Sequence, residues 1–479
     1  MNSGYVFPNE PIKLIVKELT LPPIDWTLEI AFSQDGMSSL SPSRSAGDVL
    51  LVSKDGGSGK LIVSLGKQEK CTGEVLRLAG GSFAKWILQH GLRQIEIDEQ
   101  VFSPLPDPTA IEAFLTGILL GAFRYDRLKK VDETLPETTI FVQSTNTAHA
   151  ADLVTKVSRV CRAVNLARLW AHEPPNIVNP PDLAERAIFL ANLTGLKVHI
   201  LTEVELEQIK AGGILSVGKG SHTPPRLIVL EYSSPSQTEK PIILIGKALT
   251  FDSGGYSLKD STNIQGMKYD KCGGITVMAI MQAVAEMKPA FPVVGIISAA
   301  ENLISSNAYR PDDIITMLSG TTVEIITTDA EGRLVLADAL TYASQKYQPR
   351  AMIDLATLTG GVVTALGRVR AGMMSNNDEL SQQLFSAGEE TYERLWRLPL
   401  DDEYLKPTKG DDADLKNSGG REAHPIMGGI FLKQFVDNAI PWAHLDIAGV
   451  ATTNTDLPYC PKGATGFGVR LILKYLESL

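Results

Sequence analysis

The chain has 479 residues, 44% of them hydrophobic and 21% charged, so it can bury at least one sizeable core and is expected to fold as two unequal domains. Its 45 Lys and Arg stand against 55 Asp and Glu, a net charge of -10, which argues against nucleic acid as a partner unless basic residues gather on one face. The four cysteines, Cys71, Cys161, Cys272 and Cys460, form no CxxC pair, which excludes a thiolate zinc site or a disulfide framework and predicts a reducing compartment.

The first thirty residues carry Glu10, Lys13, Lys17, Glu18, Asp25 and Glu29, and no apolar stretch of about 18 residues follows. The expectation is a cytoplasmic protein with no membrane association. Short strand-like runs at Ile12–Val16 and Asp48–Ser53, with helical patterns near Phe83–Leu92 and Ile111–Phe123, predict a small α/β domain over residues 1–160. Gly56-Gly57-Ser58-Gly59-Lys60 imitates a phosphate-binding loop, but Lys54 stands where that motif has glycine and Leu61 where it has Ser or Thr, so a hairpin turn is predicted. A helix is expected from about Asp152 to Trp170, and the prolines of Glu173–Asn176 and Asn179–Asp182 then punctuate the chain.

Over residues 161–479, apolar runs (Val198–Leu201, Arg226–Glu231, Ile242–Ile245, Val293–Ser298, Val323–Ile326, Met352–Leu355, His444–Ile447) alternate with amphipathic stretches such as Ala184–Leu193, Ile275–Met287 and Leu334–Tyr347. This alternation predicts a larger α/β domain with a mostly parallel central sheet flanked by helices. Lys409–Gly420, rich in Asp and Gly, reads as a surface loop, and His444, between Ala443 and Leu445, as a satisfied core histidine.

In open parallel sheets, sites form at the carboxyl ends of strands. Two segments meet that condition: Gly246–Lys259 with Met267–Gly274 after it, and Thr327-Thr328-Asp329-Ala330-Glu331-Gly332-Arg333-Leu334 opening a helix. An acid at a helix start is ordinarily a cap, and a lysine after a strand ordinarily a solvated cation. Carboxylates and lysines converging on one sheet edge need something to neutralise them, and a pair of divalent metal ions does so. No HExxH or GxSxG pentapeptide competes with that reading.

These segments, with Pro174-Pro175-Asn176, Tyr309-Arg310-Pro311, Ala356–Gly360 and Trp442–Ala448, resemble the leucyl aminopeptidase family, the cytosolic metallopeptidases of family M17. The resemblance implies a homohexameric aminopeptidase in which residues 1–160 are auxiliary and 161–479 catalytic. It implies two divalent ions per subunit, Zn or Mn with Mg and Co as alternatives, held by Lys247, Asp252, Asp270, Asp329 and Glu331. Asp252, Asp329 and Glu331 would hold the more exchangeable ion; Lys247, Asp252, Asp270 and Glu331 the tighter one, with Lys247 as a neutral amine. A metal-bridging hydroxide would attack the peptide carbonyl, Lys259 would polarise that carbonyl, and Arg333 would hold a bicarbonate acting as base. Met267, Thr357, Leu358, Gly360, Ala448 and Ala451 match the family's apolar substrate pocket, which implies peptides with a free amino terminus and a leucine-sized first residue.

Two positions depart from the family pattern: Thr327, where asparagine is common, and Asp260, where proline is usual. Competing expectations are a scaffold or DNA-binding regulator with secondary or no peptidase activity, and a dipeptidase preferring Cys-Gly-like substrates.

Overall fold

The computed structural model describes residues 7–17, 24, 26–32, 45–53, 59–105, 107–130, 137–235 and 239–479. These divide into two units, one of residues 7–165 with Asn454–Gly463 and one of Leu166–Thr453 with Ala464–Leu479.

The first unit is a six-stranded sheet with helices. Its strands are β1 (Ile12–Val16), β2 (Trp26–Ala31), β3 (Val49–Ser53), β4 (Gly59–Ser64), β5 (Gln94–Asp98) and β6 (Thr138–Gln143), in spatial order β1-β6-β5-β2-β4-β3. Helices α1 (Gly73–Gln89) and α2 (Ala110–Gly121) follow β4 and β5, and α3 (Thr147–His172) follows β6. Helix α1 begins ten residues before the predicted stretch at Phe83, because Gly80 and Gly81 dilute its apolar periodicity. Those glycines are a contact: a Cβ on Gly80 would lie 2.1 Å from the Phe114 carbonyl oxygen of α2, and one on Gly117 2.1 Å from the Arg77 oxygen of α1. Strands β3 and β4 pair antiparallel, as a hairpin requires, while residues 56–58 of the glycine-rich motif, like Glu18 and Asp25, lie outside the described residues.

The second unit begins with the end of α3. Asn179-Pro180-Pro181-Asp182 then forms a capping box at the start of α4 (Pro180–Thr194), the Asn179 side chain accepting from the Asp182 N–H at 3.1 Å. The elements that follow are β7 (Lys197–Leu201), α5 (Glu203–Gln208), α6 (Gly212–Gly218), β8 (Arg226–Tyr232), β9 (Ile242–Asp252), α7 (Cys272–Met287), β10 (Val293–Asn302), β11 (Ile314–Thr316), β12 (Thr322–Glu324), α8 (Glu331–Tyr347), β13 (Ala351–Ala356), α9 (Gly360–Leu366), β14 (Ala371–Ser375), α10 (Asp378–Thr391), β15 (Leu395–Arg397), β16 (Leu415–Lys416), α11 (His424–Lys433), β17 (Trp442–Asp446) and α12 (Val469–Glu477). Eight strands form one sheet in the order β15-β14-β17-β13-β9-β10-β8-β7. The central four, β17, β13, β9 and β10, run parallel, while β8 and β14 join this core antiparallel. The fold is therefore α/β with a largely parallel central sheet, as the apolar runs predicted.

Two expectations are corrected. Val323–Ile326 is not a strand of the central sheet: β12 ends at Glu324 and belongs to a separate three-stranded sheet, β11-β12-β16, so Asp329 follows a satellite sheet. Nor is Lys409–Gly420 only a surface loop, because it contributes β16, which pairs parallel with β12, and the fully buried Asn417.

Along β9, alternation sends Ile243 and Ile245 into a core shared with Val229, Ile296, Leu336, Phe431 and Trp442. Asp338 on α8 is fully buried beside this core and accepts N–H groups of Ile214 at 3.0 Å and Leu318 at 2.8 Å, closing the first turn of α6. Burial pushes its carboxyl up to about 7, against the pull of those backbone donors. The folded state thus keeps a proton that the unfolded chain has released, from the ordinary carboxylate range near 4 up to about 7. Unfolding free energy should fall as pH rises through that window, by up to about 1.4 kcal/mol per pH unit from this one group. Urea unfolding of wild type and Asp338→Asn at pH 5 and pH 8 should show the larger drop in wild type; equal drops would contradict this account.

Candidate metal centre and active site

The site lies at the carboxyl edge of the parallel core, where β9 ends at Asp252, β10 at Asn302, β13 gives way to Thr357 and β17 ends at Asp446. Lys247 continues the Ile243–Ile245 alternation and so points to the α8 side, in space left by Gly332, where a Cβ would come within 2.7 Å of its Nζ. It is 2% exposed, and its ammonium donates to Asp270 Oδ1, Glu331 Oε1 and the Thr357 carbonyl, each at 3.0 Å.

After Asp252 the chain turns through Gly254 and Gly255, whose φ values of +84° and +63° favour glycine. The Gly254 N–H, at 2.9 Å, and Asn302 Nδ2, at 2.8 Å, donate to Asp252 Oδ1. The turn leads to Lys259, whose Nζ lies 2.7 Å from Asp252 Oδ2 and also bonds Asp329 Oδ1. The Asp329 loop is tied to this turn by Ser257, which donates its N–H to Thr328 Oγ1 at 2.8 Å and accepts the Thr328 N–H on its own hydroxyl. Tyr309, from its hydroxyl, and Asn302, from Nδ2, donate to the Thr328 carbonyl. Asp270 closes a single 3-10 turn, Met267–Tyr269, and accepts the Thr357 hydroxyl at 2.7 Å. The next residue, Lys271, is fully buried and donates to the carbonyls of Ala171 and Glu173 at the end of α3, which anchors the turn.

The electrostatics show charge in want of a cation. Burial, then Glu331, pushes both Asp252 and Asp329 up to about 6, despite Lys259 beside them. Burial also raises Asp270. At Glu331 burial acts upward too, but Lys247 and Lys259 outweigh it and the carboxyl is lowered. Lys247 and Lys259 each lose by burial and regain more from the surrounding carboxylates, so both are held as ammonium ions. One oxygen each of Asp252, Asp329 and Glu331 lies within 4.8 Å of the others, and Glu331 Oε2 is buried with no hydrogen-bond partner. A hard divalent cation fits that all-oxygen group and supplies the missing partner.

Arg333, two residues after Glu331 and 2% exposed, donates from Nη1 to the Asn417 carbonyl at 2.7 Å, while its Nε has no partner. Burial lowers it to about 10. A buried guanidinium with a free N–H fits a small anion.

Of the pocket candidates, Met267 precedes Asp270, and Thr357 touches both Lys247 and Asp270. Asp446, not singled out in the sequence, gathers others: its Oδ1 accepts the N–H groups of Leu358 at 3.1 Å and Ala448 at 3.2 Å, and its Oδ2 accepts the Thr359 hydroxyl. Gly360 is exposed, with open space where a side chain would stand, whereas Ala451 is 3% exposed and lines a small, partly open pocket with Ala171 and Cys272. Thr327 accepts the Asp329 N–H on its hydroxyl, and the exposed Asp260 accepts N–H groups of Thr262 and Asn263 in a turn of its own. His444 is only half satisfied: Nδ1 meets Asp354 at 2.5 Å, and the buried Nε2 has no partner.

A carboxylate and lysine cluster at the carboxyl edge of a parallel sheet fits a metal-dependent hydrolase, and similarity to known proteins gives the chain that class. It belongs to the cytosol aminopeptidase family: the model of the M17 catalytic domain matches residues 165–473, and that of the family's N-terminal domain matches residues 40–132. It is 44% identical over 422 residues to a probable cytosol aminopeptidase of Geobacter sulfurreducens, spanning 87% of this chain and 84% of that protein. A probable cytosol aminopeptidase of Rickettsia canadensis is 40% identical over 424 residues, with 87% and 85% covered. Among solved structures, the bottromycin maturation enzyme BotP in complex with Mn superposes with a TM-score of 0.87 at 31% identity, over 95% of this chain and 99% of that one. The chain is accordingly an aminopeptidase, and among its described residues no helix is long and apolar enough to cross a membrane.

Proposed function

We propose that the chain is a dinuclear aminopeptidase that removes leucine and similar apolar residues from the amino termini of peptides, acting as a cytoplasmic homohexamer with residues 1–160 auxiliary and 161–479 catalytic. The observation that carries this reading is the group of Asp252, Asp329 and Glu331 oxygens, Asp252 and Glu331 buried and Asp329 open to solvent, with Lys247 and Asp270 against it and Glu331 Oε2 unpartnered. Asp252, Asp329 and Glu331 would hold one ion, and Lys247, Asp252, Asp270 and Glu331 the other, whether Zn, Mn, Mg or Co. Bound there, the metal ions supply Lewis acidity that brings water towards ionisation near neutral pH. Lys247 is held as an ammonium by the surrounding carboxylates, and as a ligand it would bind as the neutral amine, the form that a neighbouring dication would favour.

The protein's own groups do the rest. Lys259 stands over Asp252 and Asp329 with a proton to direct at the oxygen of the scissile carbonyl. Arg333, buried with a free Nε–H, would hold a small anion, bicarbonate, which would supply a general base beside the site. Met267, Thr357, Leu358, Gly360, Ala448 and Ala451 receive the first side chain of the substrate, with Asp446 holding the backbone of Leu358 and Ala448 in place.

Hydrolysis of leucine p-nitroanilide should disappear on chelation, return with Mn or Zn, and be largely absent from Asp329→Ala. Failure of the purified chain to bind divalent metal would sink the reading. Metal binding without hydrolysis across a panel of amino-terminal residues would instead favour a scaffold role.

A further inference from the structure

We propose that Asn417 is a positioning residue of this site, holding the Asp329–Glu331 segment and the Arg333 guanidinium in one hydrogen-bonded frame; the proposal rests on the metallopeptidase reading above. Asn417 follows β16, and its main chain continues the pairing with β12, donating its N–H to the Glu324 carbonyl at 2.9 Å. Strand β12 ends there, and the side chain takes over. Its Oδ1 accepts the Ile326 N–H at 2.8 Å and the Thr327 N–H at 3.3 Å, while Nδ2 donates to the Thr327 carbonyl at 2.6 Å. The amide thus carries strand-like pairing on towards Asp329.

The same residue's carbonyl accepts Arg333 Nη1 at 2.7 Å, on the far side of Glu331. Asn417 is fully buried, and its carbonyl bond to Arg333 is shielded from water, while the bonds to residues 326 and 327 are partly shielded. Only a primary amide offers a donor and an acceptor side by side at this reach: aspartate lacks the donor and alanine lacks both. The segment bearing Asp329 is therefore gripped from two sides, by Asn417 at residues 326 and 327 and by Asn302 and Tyr309 at the Thr328 carbonyl. Of the proposed ligands in this frame, Asp329 serves one ion alone, whereas Glu331 serves both and is held also by Lys247; the second ion further has Lys247 and Asp270, which β9 and the turn before α7 carry and Thr357 bonds.

The effect of losing the amide should therefore be selective. In the full-length protein, stripped of metal and titrated with Mn by calorimetry, Asn417→Ala should keep one tight ion per chain and bind the other about 10–100-fold more weakly, the range typical of residues that support metal ligands. On leucine p-nitroanilide kcat should fall by a similar factor with KM within about twofold. Asn417→Asp, which keeps the acceptors and loses the donor, guards against a misfolded alanine variant and should show the same selective loss, while Lys416→Ala on the adjacent strand residue should leave activity unchanged. Wild-type metal affinity and kcat in either Asn417 variant would overturn the proposal. So would equal loss of both ions, or failure of both variants to fold, because either reduces Asn417 to a general structural residue. A wild-type protein that neither binds Mn nor hydrolyses the substrate fails differently, and removes the peptidase reading itself.

Discussion

Glu331→Ala is expected to lower hydrolysis of leucine p-nitroanilide by about a thousandfold, because a metal ion contributes several kcal/mol to such a transition state and each 1.36 kcal/mol is a factor of ten. Glu331 is the one carboxylate that both belongs to the oxygen cluster with Asp252 and Asp329 and meets the Lys247 ammonium at 3.0 Å. Its removal takes an anchor from both proposed ions, so metal content after gel filtration should fall well below that of wild type. The fold should survive. Lys247 keeps Asp270 and the Thr357 carbonyl as partners, and the loss of an acid from the first turn of α8 costs about 0.3–1 kcal/mol. Two retained ions per chain with activity within tenfold of wild type would remove Glu331 from the proposed centre.

How far this site could be read from the chain depends on what each residue does there. Strands β9, β10 and β13 were legible because both their faces are buried, which leaves uninterrupted apolar runs. Asp252 closes such a run, at the strand end where sites of open parallel sheets gather. Asp329 carries a weaker signal: Val323–Ile326 has the pattern of a central strand, and nothing in four residues tells a central sheet from a satellite one. Asn417 was not legible at all. It sits in a segment rich in Asp and Gly whose composition is that of a solvated loop, and its role depends on hydrogen bonds to residues about ninety positions earlier. Helix α1 was half hidden for the opposite reason, since the glycines that read as interruptions are the surface on which α2 packs. Local patterns report what a residue does to its own backbone; they are silent where it serves another segment's backbone.

Lys259→Met is expected to lower kcat on leucine p-nitroanilide by about 100–1,000-fold, the range found when a preorganised donor to a developing oxyanion is removed, with little change in KM. The prediction follows from where the lysine is held. Its N–H donates to the Ser253 carbonyl at 3.0 Å, and reciprocal bonds between Ser257 and Thr328 fix the turn that carries it. Burial acts to lower its pKa, but Asp252, Glu331 and Asp329 outweigh burial, so the proton stays on Nζ across the working range. Metal content separates this role from that of Glu331. Removing a positive charge beside Asp252 and Asp329 should strengthen their attraction for a dication, so Lys259→Met should bind Mn at least as tightly as wild type while turning over slowly. Lys259→Arg keeps the charge but spreads it over a planar fork that cannot aim a single donor in the same way, so it should recover only part of the rate. A methionine variant that loses metal together with activity would make Lys259 a support of the metal centre, and one that keeps kcat within tenfold would remove the lysine from the chemistry.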